Sequence, residues 1–237
     1  KELAVVIPAY NEAEIIKDVI NLWIGTLDSL GIDFNVHVYN DGSKDKTLKV
    51  LQSCAGEDMR VIVHDKENSG HGPTILQAYR ENIDFKWIFQ IDSDNEIGPQ
   101  SFKEMWEKRE NFDLLIGYRE GRIQNPVRFF VSAISRFTIF ILFGRGIYDV
   151  NSPYRLMRSE RFRKLFYRIP SETFAPNVIV AGWAVMNRLK VFHFGVPHEN
   201  RKTGEVSIRH FKLIKAAVRS FWQTVKFRIE LLGGIDS

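Results

Sequence analysis

Cysteine is almost missing from this chain: Cys54 is the only one in 237 residues. That excludes a disulfide framework and a zinc site built on cysteines. Long hydrophobic runs are missing too. The nearest candidate, Phe129–Phe143, stops at 15 residues with Arg136 inside it, short of the ~20 that a membrane-spanning helix needs. The first apolar run, Leu3–Ile7, leads straight into Pro8 and is too short for a secretory signal. The expectation is a cytoplasmic chain. The Gly-x-x-x-x-Gly-Lys-Ser/Thr and Gly-x-Gly-x-x-Gly spacings are absent as well, so neither a P-loop NTPase nor a dinucleotide site gains support.

What is present points to a folded protein. Apolar residues make up 44% and charged residues 26%, enough to bury a sizeable core within one α/β domain, with or without an appendage. The net charge of +4 hides an asymmetry. Residues 1–125 carry 14 Lys and Arg against 22 Asp and Glu, and residues 126–237 carry 19 against 7. An acidic half joined to a basic half reads either as a division between cation and anion binding or as uneven solvated surface.

Strands and helices alternate through the first 120 residues. Leu3–Ile7 is continuously apolar, as expected of a strand buried on both faces. Phe34–Tyr39, Arg60–His64, Lys86–Ile91 and Asp113–Gly117 read as further strands, separated by helical patterns such as Ile15, Ile16, Val19, Ile20 and Trp23. This order predicts βαβ units and a mostly parallel sheet, where ligands bind beyond the carboxyl ends of the strands. Polar residues stand at those ends: Asn11 and Glu12, Asp41, Asn68 to Gly72, Asp92 and Asp94, and Arg119. In the second half, Asp149–Arg155 reads as a polar loop, Ser159–Phe166 as a short basic helix and Val191–Val196 as a strand. Residues 208–232 read as a long basic amphipathic helix.

Asp92, Asp94 and Glu96 place three carboxylates within five residues. Such like charges are costly side by side unless a cation neutralises them. Hard oxygen donors suit Mg²⁺ or Mn²⁺; for Glu96 an acidic helix N-terminus explains the residue equally well. Asn40-Asp41-Gly42-Ser43 suits hydrogen bonds to a base or ribose, and is also ordinary turn chemistry. His71 reads as a loop residue rather than a ligand.

Together these elements resemble a known family. Val5-Val-Ile-Pro-Ala-Tyr-Asn-Glu12, Asn40-Asp-Gly-Ser43 with Asp45 and Thr47, Asn68-x-Gly-x-Gly72 and Asp92-Ser-Asp94 occur in the order and spacing of family 2 inverting glycosyltransferases. Gly117-Tyr-Arg119 and Asp149-x-Asn-x-x-x-Arg155 resemble the dolichyl-phosphate sugar synthase and polyprenyl-phosphate glycosyltransferase branch. The resemblance covers about residues 3 to 209 and implies the GT-A fold. It implies that residues 1–125 form the nucleotide-sugar half, 126–207 the acceptor half, and 208–237 a C-terminal basic helix. Pro8, Tyr10, Glu12 and Asp41 would then hold the donor's base and ribose. Asp92 and Asp94 would bind the donor diphosphate's metal, with Glu96 as a third ligand, and Arg119 would face phosphate. Asp149 and Arg155 would lie at the acceptor side. Arg201 and Lys202 resemble a basic loop that closes over phosphates, with Arg209 standing in for its terminal Lys.

Two departures stand out. Asn40 replaces the first Asp of the family's Asp-Asp-Gly-Ser, and the loop from Arg201 to Arg209 is longer than the family's. The Gln-x-x-Arg-Trp of processive polysaccharide synthases is absent, which argues against a polymerase.

The implied reaction is a single displacement on a UDP- or GDP-sugar, assisted by Mg²⁺ or Mn²⁺. A lipid-phosphate acceptor needs cationic neighbours, with Arg128, Arg155, Arg201, Lys202 and Arg209 available. A saccharide hydroxyl needs a base, and Asp149 is either that base or a residue that orders its own loop. The apolar, aromatic and basic stretches 127–145 and 208–232 read as peripheral membrane contact, as packing against the sheet domain, or as a homodimer interface. No nucleic-acid motif accompanies the basic half. A non-catalytic nucleotide-sugar-binding scaffold is the remaining alternative, with Asn40 its one support.

Overall fold

The computed structural model describes residues 1–119, 137, 140–144, 149–197 and 210–233; among these, seven strands and seven α-helices have defined bounds, and residues 140–143 are helical as well. The order is β1 (Leu3–Ala9), α1 (Ile16–Ser29), β2 (Phe34–Asp41), α2 (Thr47–Glu57), β3 (Val61–Lys66), α3 (His71–Glu81) and β4 (Trp87–Gln90). Then follow α4 (Phe102–Lys108), β5 (Leu114–Arg119), β6 (Arg155–Arg158), α5 (Ser159–Arg168), α6 (Pro176–Met186), β7 (Val191–Val196) and α7 (His210–Gly233). They form one sheet in the order β3-β2-β1-β4-β6-β5-β7. All neighbours pair parallel except β6, which runs antiparallel to both β4 and β5. The mostly parallel sheet expected from the alternation is therefore the one observed.

The apolar run of β1 forms a strand because both of its faces are covered. Leu3, Val5 and Ile7 pack with α1, α2 and α4 residues such as Trp23, Leu51 and Phe102. Val6 faces the opposite layer, with Ile75 and Tyr79 of α3, Phe162 of α5 and Val180 of α6. Trp23 anchors the first layer, its ring centroid 5.1 Å from Phe89 and 5.4 Å from Phe102.

Two elements differ from the sequence reading. Arg155 begins β6 rather than closing a loop: Leu156 and Met157 alternate between the two core layers. Residues 176–186 form α6, which is buried on nearly every side. A helix that is apolar all round carries no amphipathic stripe to betray it. Gly72, in the first turn of α3, fixes where that helix starts: a Cβ there would lie 2.1 Å from the Phe174 carbonyl oxygen. Only glycine lets α3 and the 173–174 segment approach so closely.

Candidate active site

Because β5 and β7 run parallel to each other and β6 reverses between β4 and β5, the ends of β1 to β5 and β7 share one edge. A shallow cleft lies there and is lined by Asp92, Asp94, Glu96, Arg119, Pro153 and Tyr154 among others. The strand ends place these residues: Asp92 and Asp94 leave β4, Arg119 closes β5, and Pro153 and Tyr154 lead into β6.

Asp92 accepts a hydrogen bond from His71 Nε2 at 3.2 Å. Burial would raise its pKa, but His71 and the positive charges of Arg119 and Arg155 outweigh burial and hold it below the ordinary carboxylate value. Asp94 opens a tight turn in which the Glu96 amide donates to its Oδ1 at 3.2 Å. Asn95 within that turn has a left-handed φ of 55°, and its buried Oδ1 has no hydrogen-bond partner among the described residues. The turn thus concentrates hard oxygen donors, and two carboxylates completed by substrate phosphates are what Mg²⁺ or Mn²⁺ takes. The residues fit such an ion. One expectation needs correction: among the described residues no three His, Cys, Asp or Glu side chains converge as a ready-made metal cage. Glu96 lines the same cleft as Asp92 and Asp94.

Across the cleft, Arg119 pairs with Asp149, Nε to Oδ2 at 3.1 Å and Nη2 to Oδ1 at 3.4 Å. The structure thereby brings together two residues 30 positions apart.

The loops that follow β1 and β2, where the nucleotide is expected, are stitched together. Asn11, at a left-handed φ of 56°, accepts from the Lys44 amide at 2.8 Å, and its own amide donates to Ser43 Oγ at 3.0 Å. The Glu12 amide donates to Thr47 Oγ1 at 2.9 Å, and its carbonyl accepts from Ile16 at the start of α1. Tyr10 is exposed beside this junction.

Two donor-side expectations are corrected. Pro8 lies buried inside β1, opposite Tyr39. The Asp41 carboxylate is spent inside the protein: Lys66 Nζ and the amides of Ser69 (2.8 Å) and Gly70 (2.9 Å) all donate to it. Burial would raise the Asp41 pKa; Lys66 and the Ser69 amide override it and lower it. Asp41 therefore locks the 66–70 loop onto β2, where Gly42, at φ +66°, approaches the Asn68 amide too closely for any Cβ.

Arg155 also departs from expectation. It is fully buried and its guanidinium faces backbone carbonyls, not the cleft. Arg128, Arg201, Lys202 and Arg209 lie outside the described residues.

Asn40 finds a structural explanation. Its Nδ2 donates to Asp65 Oδ1 at 2.7 Å, a bond that an Asp at this position would replace with repulsion. The contacts of His71 with Asp92 and of Lys66 with Asp41 were not read from the sequence. The one signal for His71 was its place at the mouth of α3, next to the glycine loop.

The family model described as glycosyl transferase family 2 matches residues 4–166. The chain belongs to this family. Among relatives of this glycosyltransferase, an uncharacterized glycosyltransferase of Synechocystis is 32% identical over 51% of the chain and 38% of the relative. An undecaprenyl-phosphate 4-deoxy-4-formamido-L-arabinose transferase of Edwardsiella ictaluri is 23% identical over 90% of the chain and 64% of the relative. The chain thus spans less than two thirds of the length of either. Glucosyl-3-phosphoglycerate synthase of Mycobacterium tuberculosis, solved with Mn²⁺, uridine-diphosphate-glucose and phosphoglyceric acid, superimposes with a TM-score of 0.69 at 14% identity. That match covers 96% of the glycosyltransferase and 80% of the neighbour. The likeness establishes the fold: the GT-A architecture expected from the motifs is the one observed.

Proposed function

We propose that this glycosyltransferase moves a single sugar from a UDP- or GDP-sugar to a polyprenyl phosphate, as a peripheral protein at the cytoplasmic face of a membrane. The observation that carries the reading is the placement of Asp92, Asp94 and Arg119 around one cleft at the carboxyl edge of the sheet. Displacement at the anomeric carbon leaves negative charge on the departing diphosphate, and Arg119 is positioned to stabilise it. Mg²⁺ or Mn²⁺ held by Asp92 and Asp94 would supply further neutralisation of that diphosphate. Asp149 holds the Arg119 guanidinium in a two-bond pair, so its role is to aim a cation. An acceptor phosphate is already anionic and needs no base, which suits a site whose nearest carboxylate is so committed. On the acceptor side, Arg128, Arg201, Lys202 and Arg209 are the proposed phosphate contacts.

Two further observations support a lipid acceptor. Relatives named as undecaprenyl-phosphate transferases match 90% of the chain at 23% and 24% identity. On α7, Val218, Trp222 and Ile229 are exposed, as are Phe137, Phe140 and Ile141. Exposed Lys215, Arg219 and Lys226 flank them, and Arg228 Nε ties α7 to the Leu142 carbonyl at 3.0 Å. Aromatic and basic residues on one surface suit an anionic bilayer. No helix among the described residues is long and apolar enough to cross a membrane.

A second reading, transfer to a saccharide hydroxyl, has Asp149 as the base and is favoured by that side chain's 22% exposure. The non-catalytic reading loses its support, because Asn40 is explained by Asp65.

A panel of UDP- and GDP-sugars with Mg²⁺ or Mn²⁺, offered polyprenyl phosphate or saccharides, tests the proposal. Sugar-phospholipid and free nucleoside diphosphate are expected; product on saccharides alone would overturn the lipid acceptor. Asp94→Ala should lower turnover at least about a hundredfold, given the several kcal/mol a bound metal contributes, with an unchanged thermal melt. Turnover equal to wild type would refute the metal assignment.

A further inference from the structure

The most unusual buried group is Arg155. It has no solvent exposure, and among the described residues no carboxylate lies within ion-pair distance of it. Its guanidinium is instead satisfied by carbonyl oxygens. Nε donates to Ser152 O at 2.9 Å, and Nη2 donates to Ser152 O at 2.6 Å and to Val150 O at 2.9 Å. Nη1 donates to Asn177 O, in the first turn of α6, at 3.3 Å. A buried cation is expensive and is retained only where its bonds are well made.

Its position shows what those bonds do. Arg155 pairs with Gln90 of β4 on one side and Ile116 of β5 on the other. Asp92 and Arg119 lie two and three residues further along those strands. The carbonyls of Val150 and Ser152 belong to the turn that opens at Asp149, whose own carbonyl accepts from the Ser152 amide at 3.1 Å. Asn177 continues the tie, its side chain bonded to Tyr79 OH at 2.7 Å and to Gln90 Oε1 at 3.0 Å.

We propose that Arg155 is the positioning residue of the cleft: by gathering the carbonyls of Val150, Ser152 and Asn177, it sets the 149–152 turn so that Asp149 meets Arg119. The consequence for turnover rests on the glycosyltransfer reading above. The geometric claim does not. A lysine ammonium also has three donors, but they radiate from one compact point and not from a rigid planar fork, so it cannot match carbonyls set out around a guanidinium on two segments, and geometry, not charge, is what lysine would lose.

The test uses Arg155→Lys, with Arg155→Met as the harsher variant, in the full chain. A crystal structure of Arg155→Lys should show Asp149 separated from Arg119. Below its melting temperature, kcat should fall about a hundredfold, as expected for a catalytic group displaced by about an ångström, with the donor KM within about threefold. The double variant Arg155→Lys/Asp149→Asn should be no slower than the slower single variant. A retained Asp149–Arg119 pair with wild-type kcat would overturn the proposal, however far the melting temperature drops. If wild type transfers sugar to no acceptor, the functional reading fails, and the Asp149–Arg119 distance in the variant still decides the role of Arg155.

Discussion

Replacing Asn40 by Asp restores the residue that the family motif carries, yet the structure requires it to destabilise this chain. Asn40 is 1% exposed and its amide donates to Asp65 Oδ1 at 2.7 Å. Asn40→Asp loses that bond and sets two carboxylates side by side. Among the described residues its buried Oδ1 already has no partner, so none of them offers a donor for the added charge. Two unit charges about 4 Å apart repel by about 4 kcal/mol at an effective dielectric of 20. Asp65 is exposed, so solvent reduces the cost to about 2 kcal/mol. That corresponds to a rise of about 1.5 units in the introduced carboxyl's pKa. A carboxyl whose folded pKa is raised costs nothing below its unfolded pKa near 4, where it is protonated in both states. The penalty then grows as pH rises through the folded pKa and is complete at pH 7. Thermal melts should therefore show a loss of about 4–8 °C at pH 7.5 and a smaller one at pH 4.5. Adding Asp65→Asn, which lets the amide donate in the opposite direction, should recover most of it. Equal destabilisation at both pH values, or no recovery in the double variant, would refute the electrostatic account of Asn40.

Two more predictions concern other parts of the molecule. Burial, then the neighbouring His64 and Lys1, lowers the His37 pKa to about 4, so its neutral form supports the fold. That support is complete above about pH 6.5 and is lost as pH falls toward 4, about 3 kcal/mol in all. His37→Phe should flatten the fall in urea stability between pH 7 and 4.5, and an unchanged slope would show that another group is responsible. On the outer face of α7, Trp222→Ser should reduce sedimentation with phosphatidylglycerol-containing vesicles several-fold while donor turnover in detergent stays intact. Unaltered vesicle binding, or a change in dimerisation instead, would remove the bilayer as the partner of that face.

The strands of the first half were legible because a parallel strand buried on both faces is a continuous apolar run. β1 to β5 and β7 lie where those runs predicted, shifted by one or two residues at their ends. β6 was not legible: its four residues begin and end with arginine, and short strands offer no period to count. The motif residues came to one edge as expected, but their roles divided. Asp92, Asp94 and Arg119 line the cleft, whereas Pro8, Asp41 and Arg155 turn inward. Sequence names a polar residue at a strand end; it does not say whether the side chain meets a ligand or the protein's own loose backbone groups. Asp41 and Arg155 satisfy amides and carbonyls that would otherwise be buried without partners.

The same lesson applies to the split between an acidic and a basic half. Screening confines a surface charge to about 8–10 Å at physiological salt, so the sums over each half matter less than the nearest partner. At the cleft those partners do not follow the division. Asp41 is neutralised by Lys66 and Asp92 meets His71, both counter-groups coming from the acidic half itself. The Arg119–Asp149 pair at the cleft does join the halves, but there the acidic half supplies the cation. On the proposed function, a donor diphosphate meets an edge where Asp41, Asp92 and Arg119 are already paired, and it binds by exchanging partners. On the same reading the geometry of the pairs, above all the Arg119–Asp149 pair set by the turn around Arg155, governs turnover, and the half-by-half asymmetry belongs to the outer surface, where Lys215, Arg219 and Lys226 of α7 are exposed.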